Sequence, residues 1–317
     1  MLEVIDIHNN QITSPVPPDL GNLKKQIHLD LSFNSLDGPI PPTLGLLSNL
    51  THLYLGGNSF IGSIPPKIGN LTNLTCLSME GNEFSGSIPS EIGNLKSLIE
   101  LRLSTNSFTC PIPPSLANLK SLIVLDLHEN RLDCAIPVDK GDLKSLTHLY
   151  LSSNNFPCPI LSSLAHLTSL TVLHLDGNEI DCAIPLEIRY FKSLTDLDLS
   201  FNNFSGKIPH ALESLVMLNY LNLRNNSLHG SVPNFEKLLN LSYLDLLYNH
   251  LTGNIPNNLL YVRYIAVYGN DGLKKIDGPR RMSRSMLMTV LIPSMAIPMI
   301  VLGSCFIFQH RTKSMQS

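Results

Sequence analysis

Ten acids recur at fixed offsets from a repeated asparagine: Asp6, Asp30, Glu80, Glu100, Asp126, Glu129, Asp176, Asp196, Asp198 and Asp245. The offsets are six, four, two and one residues before the Asn. His8, His28, His52, His128, His148 and His174 share them, as do Tyr54, Tyr150, Tyr220 and Tyr243, while Arg102 and Arg224 are the cations there. Carboxylates and imidazoles at this density could do acid–base chemistry, hold a metal, or recognise a cation. Catalysis needs a Ser-His-Asp set or a carboxylate pair that stands out from the repeat background, and none does. His28 and His52 fall on neighbouring units, but no Cys or third His completes a metal-ligand spacing. Neither an enzyme, a metal nor a cofactor is expected. An acidic groove with amphipathic aromatics suits a basic peptide or protein segment. The expected binding residues are the groups named above without Asp6, His8, Glu80, Glu129, Asp245 and Arg224.

Cysteines form a second pattern. Cys110, Cys134, Cys158 and Cys182 are 24 residues apart, where other units carry Gly38, Gly62, Gly86, Gly206, Gly230 and Gly253. Cys at this position implies a site that does not demand a positive φ. Equivalent Cα atoms on adjacent units should lie about 5 Å apart, within disulfide range. Two readings stay open: four buried thiols side by side, or bridges Cys110–Cys134 and Cys158–Cys182 in an oxidising compartment. Six Asn-x-Ser/Thr sequons, at Asn49, Asn70, Asn73, Asn203, Asn225 and Asn240, are candidate glycosylation sites. Asn49, Asn73 and Asn240 share one phase just before the strand. A glycan at Asn225 would close one end of the groove.

The elements that place these groups come from repetition. The chain has 317 residues, 58 of them Leu and 29 Asn. Asn recurs every 24 residues from Asn10 to Asn226, then at Asn249 and Asn270. One unit reads Leu50, Leu53, Leu55, Asn58, Phe60, Gly62, Ile64, Pro65, Ile68, Leu71. Leu53-x-Leu55 alternates, so it predicts a short strand with both Leu inward and residues 52, 54 and 56 outward. The Asn amide, donor and acceptor at once, can satisfy the backbone where the chain turns. Proline suits an irregular convex side. Stacked units then form a parallel concave sheet. A net charge of −3 with 43% hydrophobic residues excludes disorder, and the lack of cationic excess excludes nucleic acid as a main partner.

A period of 24 with this apolar spacing is the leucine-rich-repeat signature. Leu36-Asp37-Gly38-Pro39-Ile40-Pro41, Phe84-Ser85-Gly86-Ser87-Ile88-Pro89 and the phrase Ile-Gly-Asn-Leu (68–71, 92–95) make the chain resemble ectodomains of plant receptor-like kinases and receptor-like proteins. The resemblance spans residues 2 to 256. It implies a horseshoe solenoid with a parallel concave sheet and a 3₁₀ convex side, binding a peptide or protein and signalling with a co-receptor kinase. The chain lacks the family's leader, Cys-bearing caps and kinase motifs, so a truncated form is expected.

Residues 1–270 are assigned to about eleven repeats plus a degenerate one, 271–285 to a basic linker, 286–308 to a transmembrane helix and 309–317 to a short tail. Met286 to Phe308 carries no charge, and at 1.5 Å per residue spans about 34 Å. The resemblance places the repeats outside the plasma membrane. Lys274, Lys275, Arg280, Arg281 and Arg284 before the span, against Arg311 and Lys313 after it, argue for the opposite orientation. The alternatives are thus a tail-anchored intracellular scaffold, or a fragment of a Ser/Thr receptor kinase.

Overall fold

The computed structural model describes residues 3–138 and 142–274. The apolar segment 286–308, its basic flank from residue 275 on and the tail lie outside the described residues. Among the described residues no helix is long and apolar enough to cross a membrane.

Twelve three-residue strands, one per repeat from Val4–Asp6 to Tyr264–Ala266, form one parallel sheet in sequence order. The register equals the sequence period: His28 pairs with His52, Leu29 with Leu53, Asp30 with Tyr54. The central residue of each strand, Ile5 and Ile265 at the two ends and Leu between them, points inward and the flanking pair outward, as alternation requires. Leu53 and Leu55 are fully buried, and their counterparts run the length of a single core. Phe60, Phe84 and Phe108 stack behind the sheet with ring centroids 6.0 and 6.2 Å apart. No single unit could bury these side chains; each is covered only by its neighbours.

The asparagine ladder joins the units. The Asn58 amide donates to the carbonyls of Leu31, Leu55 and Gly56, and its Oδ1 accepts from the Leu36 N–H. Asn130 repeats this with Leu103, Leu127, His128 and Phe108. Each buried amide thus satisfies four backbone groups, two of them in the preceding repeat. Unpaired, each such group would cost about 1–3 kcal/mol.

On the convex side, proline starts five-residue 3₁₀ turns such as Pro66–Asn70, where a missing N–H costs nothing. Between the ladder and these turns lies an element that the alternation pattern did not predict. Short lateral strands form a four-stranded sheet (Asp37–Gly38, Ser59–Gly62, Glu83–Gly86, Ser107–Phe108) and a three-stranded one (His229–Ser231, His250–Gly253, Gly272–Leu273). Gly38, Gly62, Gly86, Gly206, Gly230 and Gly253 take φ between 70° and 86°, a region open to Gly and costly for other residues. This corrects the expectation drawn from the cysteines. The position does demand positive φ in those units. At the four cysteines the backbone is outside that region, and among the described residues the lateral sheet ends with Ser107–Phe108 in the Cys110 unit, with no lateral strand in the Cys134, Cys158 and Cys182 units.

Candidate functional site

The concave strands place the outward groups on one surface. At its first strands the Asp6 carboxylate holds His8 Nδ1 at 2.5 Å, and Asp30 lies 3.9 Å from the same nitrogen. Each of these three residues brings a ligand atom within 4.8 Å of the others, the one such group among the described residues. The His28 ring is 5.6 Å from His52 and 5.5 Å from Tyr54. Nδ1 of His52 and of His148 is taken by the preceding threonine, Thr51 at 2.8 Å and Thr147 at 2.7 Å.

Further along, Arg102 pairs with Glu100 at 3.3 Å on its own strand. His128 Nδ1 is 2.6 Å from Asp126, whose other oxygen accepts from Ser104. His174 Nε2 lies 3.1 Å from Asp196, and its ring meets Tyr150 edge-on at 5.3 Å. Asp198 is almost fully buried and accepts from Ser200 N–H and hydroxyl, Asn222 Nδ2 and the Tyr220 hydroxyl. Ser152 donates to Asp176. Most of these acids are therefore held by hydroxyl, amide or imidazole donors, which fix their position without a permanent cation to cancel their charge.

The six histidines separate into two groups. Burial lowers the pKa of His28, His52 and His148, and at His148 Arg102 adds to the effect. The hydrogen bond to Asp6 raises His8. At His128 and His174 burial pulls downward, but the hydrogen bonds and charges of Asp126 and Asp196 outweigh it, and the net shift is upward. Burial, then the nearby Asp176 charge, pushes Asp198 up to about 6. Burial likewise pushes the Tyr150 hydroxyl up to about 12.

Two of the four expected tyrosines are packed face to face on a neighbour. Tyr220, Tyr243 and Tyr264 stack on one another with centroids 4.3 and 4.4 Å apart and planes within 12° and 6°. Their inner faces are spent on each other, so the groove sees ring edges and hydroxyls. Tyr264 was missing from the expected residues, although it stands six before Asn270, an offset that could have found it.

The same offsets reach Phe201 and Tyr248, one residue before their ladder Asn. Both rings are exposed, and Arg224 lies over them at 5.5 and 5.3 Å. Arg224 Nε is buried without a hydrogen-bond partner, and no carboxylate lies within salt-bridge distance of its guanidinium among the described residues. Tyr248 meets Tyr268 edge-on at 6.0 Å. One end of the acidic groove thus carries a cation pinned between aromatic rings.

The six sequon asparagines are all exposed. The Asn49, Asn73 and Asn240 amides donate to carbonyls of the preceding repeat, at Lys24, Ser48 and Val216. Asn225 sits beside Arg224 with φ 55°. On the lateral flank Cys110 is joined to Cys134 and Cys158 to Cys182, with Cα separations of 6.0 and 6.1 Å, and Cys76 lies buried on the concave sheet outside either bridge.

Family comparison gives two matches. "Leucine-rich repeat region" matches residues 66–184, and "Leucine Rich Repeat" matches 1–23, 27–47, 49–71, 193–215, 217–238 and 240–261. No curated protein sequence matches the chain. Among solved structures, the PEPR1–AtPEP1 complex is 34% identical with a TM-score of 0.78, over 85% of this chain and 38% of that one. The ectodomain of GASSHO1/SCHENGEN3, a plant membrane receptor kinase from Arabidopsis thaliana, in complex with CASPARIAN STRIP INTEGRITY FACTOR 2, is 30% identical (TM-score 0.60; 84% of this chain, 38% of that one). The plant peptide hormone receptor RGFR1 with RGF2 is 30% identical (TM-score 0.61; 83% and 51%). The chain therefore spans about two fifths to half the length of these relatives.

Proposed function

Because the chain belongs to the leucine-rich-repeat family, with repeats like those of plant receptor ectodomains, we propose that it is a non-catalytic recognition module that binds a basic peptide or protein segment on its concave face. One observation carries this: along the concave sheet ten outward acids face two arginines, and one of those, Arg102, is already paired with Glu100. A basic segment would lie along Asp126, Asp176 and Asp196. Arg224, held by Phe201 and Tyr248, would receive an anionic group of the same ligand. The apolar segment 286–308 anchors the module to a membrane in this reading, with the repeats outside the cell and a co-receptor kinase as signalling partner. The second reading, an intracellular scaffold with a C-terminal anchor, is favoured by the five basic residues at 274–284 against two after the span.

The test is selection of peptides from a random displayed library on the immobilised protein. Enriched peptides should be net basic. The triple variant Asp126→Asn, Asp176→Asn, Asp196→Asn should lose roughly tenfold in affinity for them, the equivalent of about 1.4 kcal/mol. Enrichment of neutral or acidic peptides, or a triple variant that binds as well as the parent, overturns the proposal.

A further inference from the structure

The lateral flank of repeats five to eight is held differently from most of the stack. In most steps two backbone rungs cross from one repeat to the next. Between the eighth and ninth repeats, for example, Asn203 N–H donates to Ile180 O and Ser205 N–H to Cys182 O. The outer rung fails at three successive steps. Asp133 N–H, which should reach the Cys110 carbonyl, lies 3.4 Å from Cys110 Sγ instead. Pro157 has no N–H to give to Cys134. From Asp181 to Cys158 no rung exists among the described residues, and the inner rung from Glu179 to Phe156 is absent too. The two bridges span the first and third of these steps. Beside the second bridge a cleft of about 320 Å³ is lined by Pro159, Ile160, Ile180, Pro185 and Phe204.

The concave side of the same repeats shows no such gap. Strands Glu100–Arg102, Val124–Asp126, His148–Tyr150 and Val172–His174 pair in full register. The Asn106, Asn130, Asn154 and Asn178 amides keep their cross-repeat bonds. All four cysteines are half-buried and so within reach of a small reagent.

We propose that the Cys110–Cys134 and Cys158–Cys182 bridges form a redox-labile lock on the lateral flank of repeats five to eight: thiol reduction releases that flank and its apolar cleft while the concave sheet stays assembled. The chemistry is thiol–disulfide exchange. A thiolate of a dithiol reductant attacks one bridge sulfur and breaks the S–S bond. Its second thiol then displaces the remaining cysteine. Per bridge, two electrons and two protons pass to two cysteine thiols, and the dithiol leaves as its own disulfide. The lock acts on the flank, not on the groove, so it does not depend on which ligand the concave face takes.

Hydrogen exchange read by mass spectrometry on the full chain from a secretory host, before and after complete reduction with dithiothreitol, tests this. Amides in 131–137, 155–162 and 179–185 should exchange roughly tenfold faster after reduction, with concave-strand amides unchanged. Without reductant, Cys110→Ser with Cys134→Ser should loosen the first of these segments, and Cys158→Ser with Cys182→Ser the last. Reduction that leaves all exchange unchanged overturns the proposal, because the bridges would then hold nothing. So does acceleration across the concave strands, which would make them a general support, and so do four free thiols at these positions in the secreted protein. The reduction experiment uses the parent chain and decides the matter even if a serine pair fails to fold.

Discussion

At the scale of single residues, pH dependence is the sharpest consequence of the site. Protonation of all six groove histidines together would follow if each kept its ordinary pKa. The structure separates them. His8, His128 and His174, each beside a carboxylate, gain their proton at a higher pH than free histidine, whereas buried His28, His52 and His148 stay neutral further into acid. Asp198, at about 6, loses its negative charge across the same range. Every one of these changes makes the groove less negative as pH falls. A basic peptide should therefore bind about three- to tenfold more weakly at pH 5.5 than at 7.5. His128→Gln, His174→Gln and Asp198→Asn should each flatten the profile, and His52→Gln and His148→Gln should leave it unchanged. Isothermal titration across that range decides. A profile governed by His52 and His148, or none at all, would show that the site lies elsewhere.

At the scale of elements, two glycines separate close approach from backbone conformation. On the convex side a Cβ at Gly69 would lie 2.3 Å from the Glu91 carbonyl oxygen of the next repeat. That atom belongs to a 3₁₀ turn and cannot swing aside. In the lateral sheet Gly86 has φ 77° and nothing within 4 Å of its added Cβ. Gly69→Ala should cost about 3 kcal/mol, because two packed turns must separate. Gly86→Ala should cost about 1 kcal/mol, the strain of a left-handed conformation alone. Urea unfolding of both variants measures the difference, and equal or reversed midpoint shifts would contradict this account of inter-repeat packing.

At the scale of the whole molecule, the two proposed readings differ in the side of a membrane on which they put the repeats. Asn49, Asn73 and Asn240 are exposed, away from the groove, and on the turn just before their strands. If the repeats enter the secretory lumen, the chain from a plant or insect host should shift in mass on treatment with an N-glycosidase, and Asn→Gln at these three positions should remove most of the shift. A protein that is membrane-bound yet carries no glycan at any of the six sequons would support the intracellular reading instead. Asn225 has a separate consequence. It stands beside Arg224 and Phe201, so a glycan there would screen the Arg224 guanidinium, and Asn225→Gln should then strengthen binding of peptides with an anionic end.

How much of this was legible beforehand follows from what a repeat encodes. The 24-residue spacing is itself the register of the concave sheet, because every strand pairs with its own copy one period on. The inward Leu, the Asn ladder, the convex turns and the face on which acids, histidines and tyrosines gather were therefore readable from residue types and offsets. The lateral strands were not. They depend on φ at a glycine, and nothing in the alternation of side chains reports φ. Nor was the separation of the histidines readable, since His128 and His148 share the groove and differ in which neighbour stands within hydrogen-bond distance and in how deeply each ring is covered. The tyrosine faces were lost to stacking, because residues 220, 243 and 264 meet only across three different repeats. The sequence by itself determined a periodic scaffold and the side of it on which acids, histidines and tyrosines gather, since both are copies of one local rule. Tertiary structure alone decided charge state, ring exposure and the gap that the two bridges span, since each depends on what an adjacent repeat contributes.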